Sequence, residues 1–205
     1  APRPGAVKTR LAAALGEAEA CAAYRRLVET LLRQLAALEN VELCFAPDDA
    51  VSEIKPWAQP TWRLTAQGNG DLGCRLDRAF RRAFDEGTKR VVLIGSDCPE
   101  VGGGDIQAAW TALLSHDVVL GPATDGGYWL VGLRRRPCVP RIFAAVRWSS
   151  PHALGDTLAN LRGRPVGRVA TLPDVDTAAD LARCAAVAGR RIIGPCTQTR
   201  PDPYS

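Results

Sequence analysis

A short apolar run at residues 90–94 (Arg-Val-Val-Leu-Ile) constrains the fold more than any other segment of this sequence. An uninterrupted run of β-branched and aliphatic residues predicts a strand buried on both faces, as in the centre of a parallel sheet. Such sheets bind ligands at the carboxyl ends of their strands. The polar residues that follow position 94 are therefore the first candidates for a functional site.

Helical and strand periodicities alternate along the rest of the chain, which predicts an α/β fold with a mostly parallel sheet. Residues 50–58 have no clear pattern. We predict further strands at 41–45, 61–67, 118–120, 128–133 and 166–172. We predict helices at 17–39, 72–86, 104–115, 139–146 and 150–161. A last helix is predicted to begin after its cap, Thr177, and to end at residue 189.

The chain length suits one domain, which we place at residues 1–194, followed by a loose, proline-containing tail at 195–205. The opening residues Ala1-Pro2-Arg3-Pro4-Gly5 have the character of a loop that follows a strand. We therefore expect a first strand ahead of them.

Composition argues against several classes of protein. The net charge of +4 is too mild, and the basic residues too scattered, to indicate a nucleic-acid partner. The seven cysteines form no CxxC pair and no Cys/His cluster, which favours reduced thiols in a cytoplasmic protein. The longest strongly apolar run is far shorter than the ~20 residues of a membrane-spanning helix. We expect small-molecule partners, with neither nucleic acid nor membrane among them.

The first polar cluster is the loop around Gly5, Lys8, Thr9 and Arg10. Its glycine exposes backbone N–H groups, and Lys8 and Arg10 place two cations beside Thr9, a combination that cradles phosphates. The Walker sequence GxxxxGK[ST] is absent. The alternative is a polar loop with two surface cations.

The second cluster, Gly95-Ser96-Asp97-Cys98-Pro99, follows the apolar run directly. A carboxylate at the end of a buried strand is rigidly placed and suits Mg²⁺ or Mn²⁺, which commonly share their ligands with substrate phosphates. The alternative is an aspartate that caps the next helix or begins a turn.

The third cluster is Asp125-Gly126-Gly127-Tyr128-Trp129. Asp-Gly-Gly is an ordinary turn signal, so a plain hairpin is one interpretation. The two aromatic residues that follow favour the other, in which their rings form a wall for a sugar or a base.

Two further segments give weaker signals. A glycine-rich loop that contains Gly70 and Asp71 leads into a helix and is a candidate for nucleotide contact. The run Asp174-Val175-Asp176-Thr177 precedes the last helix, and a helix-capping turn is its simplest explanation.

Taken in order, these segments resemble those of a bacterial family. The shared motifs are Pro-Gly-x-Val-Lys-Thr-Arg-Leu, Gly-Asp-Leu-Gly, Gly-Ser-Asp-Cys-Pro, Asp-Gly-Gly-Tyr-Trp-Leu-Val-Gly-Leu and Asp-Val-Asp-Thr, and the resemblance runs from about residue 3 to about residue 181. The family is similar to nucleotide-diphospho-sugar transferases of the glycosyltransferase A type, and some members are grouped with arsenosugar biosynthesis. Its fold also resembles that of molybdenum-cofactor guanylyltransferase and 2-phospho-lactate guanylyltransferase.

This resemblance implies a three-layer α/β/α, Rossmann-like fold and a nucleotide or nucleotide-sugar partner. It assigns the nucleotide's phosphates to Lys8 and Arg10 and the Mg²⁺ or Mn²⁺ ion to Asp97. It makes Asp125 a second acidic group, catalytic or metal-binding, and Asp176 a further candidate for the metal.

The resemblance leaves three functions open. Glycosyl transfer from a nucleotide-diphospho-sugar to a small-molecule acceptor is the first. Nucleotidyl transfer from a nucleoside triphosphate to a phosphorylated acceptor, with release of pyrophosphate, is the second. A nucleotide-binding protein that has lost catalysis is the third.

Overall fold

A computed structural model describes residues 1–138 and 141–191 of the chain, without the side chains of 186–191. Helices and strands alternate through this part of the chain. The helices are α1 Thr9–Leu15, α2 Glu17–Gln34, α3 Val51–Ile54, α4 Leu72–Asp85, α5 Gly103–Ala112, α6 Ala153–Asn160 and α7 Ala178–Arg191; the strands are β1 Glu42–Phe45, β2 Arg63–Ala66, β3 Arg90–Ile94, β4 Val118–Pro122, β5 Tyr128–Arg134 and β6 Val166–Arg168.

The strands form two sheets. Strands β1 and β2 pair in parallel as a two-stranded sheet, and the other sheet has the order β3-β5-β4-β6. Since β5 is antiparallel to both β3 and β4, and β6 is parallel to β4, three of these four strands run in the same direction. The predicted α/β fold with a mostly parallel sheet is confirmed, with β5 as the antiparallel strand.

Strand β3 is not central in its sheet, which differs from our expectation. It pairs with β5 along one edge, and none of the described residues forms a strand pairing along the other. Both of its faces are covered, since Val92 and Ile94 pack on one apolar cluster while Val91 and Leu93 pack on another. All five residues of β3 are only partly buried. An apolar run indicates that both faces of a strand are covered, but it does not indicate whether each edge of the strand is paired.

Two helical predictions need correction. Thr9 and Arg10, which we placed in the first loop, begin α1 (Thr9–Leu15), because the alanine-rich segment favours a helix up to Gly16, which adopts a positive φ. The helix predicted at 139–146 is replaced by turns over the described residues 141–146, where Arg141 and Ala145 both adopt positive φ. Residues 139–140 and the predicted tail at 195–205 lie outside the described part of the chain.

Other elements agree with the sequence. The helix predicted at 17–39 ends earlier, at Gln34, and the ambiguous segment 50–58 contains α3 and a 3-10 turn at Lys55–Trp57. Six cysteines fall in the described residues and all are free thiols. No helix in this part of the chain combines the length and apolar character needed to cross a bilayer.

Candidate functional site

Asp97 lies just beyond the end of β3, where the sheet holds the backbone in place. The N–H of Gly95 still donates to the carbonyl of Trp129 at 2.8 Å, which continues the β3–β5 pairing past Ile94. The carbonyl of Asp97 accepts from the N–H of Val175 at 3.1 Å. A Cβ on Gly95 would lie 2.8 Å from Asp97 Oδ1, so glycine leaves room for the carboxylate. The side chain of Asp97 is 37% exposed, and it is therefore accessible from solvent.

Lys8 joins Asp97 to Asp176. Its Nζ lies 2.6 Å from Asp176 Oδ1 and 3.3 Å from Asp97 Oδ2, and its side chain is only 9% exposed. Burial lowers the pKa of Lys8, but the two carboxylates outweigh burial and raise it. Lys8 is therefore a charged group inside the site, joined to two residues 89 and 168 positions away in the chain.

Arg10 binds the same carboxylate from the solvent side. Its guanidinium lies 3.3 Å from Asp176 Oδ2 and donates to the carbonyl of Ser149 at 3.4 Å. The side chain of Arg10 is 58% exposed. Both cations predicted from the first loop thus meet at Asp176, one buried and one facing solvent.

Asp176 also belongs to a group of three carboxylates. One oxygen each from Asp125, Asp174 and Asp176 falls within 4.8 Å of the others. Asp125 is fixed by a turn in which its Oδ1 accepts from the N–H of Gly127 at 2.8 Å. Gly126 closes this turn at φ 92°, and a side chain there would overlap the backbone of Pro151. Carboxylates at this spacing can share one cation.

Asp174 belongs to this group, although we did not assign it to the site from the sequence. Burial raises the pKa of Asp174, and the negative charges of Asp125, Asp176 and Asp97 raise it further. The pattern Asp-Val-Asp could have indicated this: Val175 is buried, and the carboxylate oxygens of Asp174 and Asp176 on either side of it lie within 4.8 Å of each other.

Tyr24 is a second contact that the sequence did not predict. Its hydroxyl lies 2.7 Å from the Oγ of Ser96, the neighbour of Asp97. Tyr24 belongs to α2, 72 positions from Ser96, so only the folded chain brings them together. This hydrogen bond attaches the segment after β3 to the helix that covers it.

Other predicted site residues have structural roles in the described contacts. Asp71 caps α4 by accepting from the N–H of Cys74 at 2.8 Å, which lowers the pKa of Asp71. Gly70 allows this turn at φ 107°, and Gly5 forms the turn ahead of α1 at φ 75°. Thr9 is exposed as the first residue of α1. Their predicted contact with a nucleotide stays a prediction.

The two aromatic residues after the Asp-Gly-Gly turn face different surroundings. Trp129 is 2% exposed, packs on Gly121 and donates from Nε1 to the carbonyl of Ala170 at 3.0 Å, so it belongs to the core. The Tyr128 ring meets Trp148 edge-on, with centroids 6.2 Å apart. The proposed aromatic wall therefore excludes Trp129.

Residues 30–150 match the model of a bacterial family described as "uncharacterized protein conserved in bacteria", DUF2064. The chain belongs to this family. A crystal structure from Desulfovibrio desulfuricans G20, named as a candidate nucleotide-diphospho-sugar transferase, is 37% identical with a TM-score of 0.81. The match covers 88% of this chain and 80% of that one. No protein among those with curated functions matches the chain.

More distant structures share the fold of this DUF2064 protein. One is 4-diphosphocytidyl-2C-methyl-D-erythritol synthase from Anaerococcus prevotii DSM 20548, at 11% identity and a TM-score of 0.60, covering 80% of this chain and 89% of that one. Another is molybdopterin-guanine dinucleotide biosynthesis protein A from Archaeoglobus fulgidus, at 12% identity and a TM-score of 0.52, covering 80% and 86%. The fold is thus shared with nucleotide-dependent transferases, as the motifs implied.

Proposed function

We propose that this protein is a metal-dependent transferase that moves a sugar from a nucleotide-diphospho-sugar to a small-molecule acceptor. One observation carries the proposal: four carboxylates meet two cations at the end of β3. Lys8 and Arg10 pair with Asp97 and Asp176, while Asp125 and Asp174 have no ion pair among the described residues, so two negative charges stay unbalanced there. A divalent cation has the charge that balances them.

The chemistry of the donor set suits Mg²⁺ or Mn²⁺. Both are hard ions that take carboxylate oxygens and keep positions open for water and substrate phosphates. Asp125, Asp174 and Asp176 are the group that would hold the ion, with Asp97 beside them. Burial raises the pKa of Asp174, and the negative charges of Asp125, Asp176 and Asp97 raise it further, which supports this assignment because a bound cation would relieve both effects.

The side chains of this site fit the demands of glycosyl transfer. A divalent ion bound there stabilises the charge that develops on the departing nucleoside diphosphate. Lys8 and Arg10 donate to the phosphate oxygens of that group. Asp125 has one carboxylate oxygen beyond its turn hydrogen bond, and we assign it to accept the proton of the acceptor hydroxyl or to hold the ion.

The likeness to the Desulfovibrio protein at 37% identity favours sugar transfer. The fold shared with the diphosphocytidyl synthase supports a second candidate, nucleotidyl transfer, in which an acceptor phosphate attacks the α-phosphate of a nucleoside triphosphate and pyrophosphate leaves. The same cations and carboxylates would serve that reaction.

One assay distinguishes these reactions. The protein is incubated with Mn²⁺ and a panel of UDP- and GDP-sugars, and release of nucleoside diphosphate is measured. A parallel series contains nucleoside triphosphates and phosphorylated acceptors, and pyrophosphate is measured. Diphosphate release supports our proposal, and pyrophosphate release supports the alternative. Metal-dependent nucleotide binding without turnover in either series would indicate a binding protein and would contradict both.

A further inference from the structure

Lys8 supplies a positive charge to two carboxylates of the site. Its ammonium group is nearly buried and lies within 3.3 Å of both Asp97 and Asp176. An ammonium has three donors, and these two contacts use two of them. While Lys8 stays there, its capacity to bind a phosphate is largely taken up.

The backbone at Lys8 indicates that this placement depends on the ion pairs. Lys8 adopts φ 49° and ψ 51°, the left-handed conformation that residues with a Cβ disfavour, and it directly precedes α1. No hydrogen bond from its side chain caps the helix. The two carboxylates therefore help to hold a conformation that the local sequence does not favour.

A cation held by Asp125, Asp174 and Asp176 would compete with the ammonium of Lys8 for the carboxylate of Asp176. Two positive charges a few ångströms apart repel each other strongly at a half-buried site. Arg10 does not compete in the same way, because it reaches one oxygen of Asp176 from solvent. A nucleoside diphosphate offers Lys8 an alternative anionic partner next to the same loop.

We propose that Lys8 is a placeholder that makes metal binding depend on the nucleotide. In the protein alone, Lys8 pairs with Asp97 and Asp176 and weakens the site for a divalent ion. When a nucleoside diphosphate binds, Lys8 transfers its hydrogen bonds to the phosphates, which frees Asp176 for the ion and Asp97 beside it. Nucleotide and metal then strengthen each other's binding by the same factor. This inference rests on the proposed nucleotide and metal site.

The test measures Mn²⁺ affinity of the nucleotide-free protein by electron paramagnetic resonance. Lys8→Met and Lys8→Gln remove the competing charge, and we expect each to bind Mn²⁺ roughly tenfold or more tightly than the wild type. Lys8→Arg keeps the charge and retains the weak affinity. Lys55→Met removes an exposed lysine outside the site and should change the affinity less than about twofold. Using two neutral variants protects the test against a folding defect in one.

A second measurement uses the wild type alone, which needs no variant to fold. Mn²⁺ affinity is measured with and without UDP or GDP, after allowing for metal bound by free nucleotide. The proposal expects the nucleotide to tighten Mn²⁺ binding in the wild type and to do so much less in Lys8→Met. Equal Mn²⁺ affinity in wild type and neutral variants would overturn the inference and leave the proposed function standing. No Mn²⁺ binding by any variant, with or without nucleotide, would overturn both.

Discussion

The two sides of the site differ in how their charge is compensated. On one side, Asp97 shares the buried ammonium of Lys8 with Asp176, which also binds Arg10. On the other side, Asp125 and Asp174 lie near Asp176 without an ion pair among the described residues, and the pKa of Asp174 is raised. On the first side, the protein's own cations, Lys8 and Arg10, balance the carboxylates. On the second side, the charges of Asp125 and Asp174 are not balanced by any cation of the described residues.

This difference also separates two kinds of contact along the chain. The Lys8 side joins residues from the first loop, from the end of β3 and from the segment before α7. On the Asp125 side, the turn that carries Asp125 is held against the first residues of α6, since the carbonyl of Gly126 accepts from the N–H of Leu154 at 3.1 Å. Long-range ion pairs hold one side and close backbone packing holds the other.

The largest expected effect is on turnover, at Asp97. Asp97→Ala removes the carboxylate closest to the end of β3, and we expect kcat/KM to fall by roughly 10² to 10³. Asp97→Asn keeps the shape and should lose a similar amount, because charge is the property required. Asp77→Ala, on the exposed face of α4, is the control. Normal turnover in Asp97→Ala would show that the Lys8 side does not serve the reaction.

The next effect is on stability, at the turn that holds Asp125. Gly126→Ala meets both a left-handed backbone and the backbone of Pro151, so we expect the free energy of unfolding to fall by about 2–3 kcal/mol. Gly87→Ala is the matched control, because it has φ 95° but nothing within 4 Å of the added Cβ. Chemical denaturation measures both. Equal losses in the two variants would mean that the packing against Pro151 contributes nothing.

A smaller effect is expected at Tyr24. Tyr24→Phe removes the hydroxyl that bonds Ser96 and should lower the free energy of unfolding by about 1 kcal/mol. Because Ser96 precedes Asp97, we also expect a moderate fall in kcat. Circular dichroism melts and initial rates measure the two effects. An unchanged stability and rate would show that this bond does not position the segment after β3.

The smallest effect, and one of opposite sign, is expected at Asp174. Asp174→Asn removes a charge that is disfavoured by burial and by the neighbouring carboxylates, so in metal-free buffer at pH 7 the variant should be slightly more stable than the wild type. The folded-state pKa lies above the unfolded value, so the wild type loses stability as pH rises between the two. The advantage of the variant should therefore shrink as pH falls towards 4. If the variant's advantage in stability stayed constant from pH 7 to pH 4, the charge of Asp174 would not be its cause.

The sequence predicted the features of the fold and the site that depend on residues close together in the chain. The β3 run and the polar residues after it are local patterns, so the sequence placed Asp97 correctly at the end of a strand. The motif order predicted the family and the fold. The α7 start was also local: the N–H of Asp180 donates to the Oγ1 of Thr177 at 3.3 Å, as the predicted cap requires.

What the sequence missed depends on contacts between distant segments. The bond from Tyr24 to Ser96 and the shared ammonium of Lys8 exist only once the chain has folded. The inward position of Trp129 follows from packing on Gly121, which a turn signal cannot reveal. The unpaired edge of β3 was missed because apolar patterning describes the faces of a strand and carries no information about its edges.

The central claim is that a divalent ion joins these carboxylates to a nucleoside diphosphate. It is tested most directly by crystals of the protein grown or soaked with Mn²⁺ and a panel of nucleotide sugars, examined at a wavelength where manganese scatters anomalously. The account predicts a manganese peak about 2.1 Å from oxygens of the Asp125, Asp174 and Asp176 group and from a phosphate oxygen, with Lys8 on the diphosphate. A bound nucleotide with no manganese peak, and with Lys8 still on Asp97 and Asp176, would contradict it.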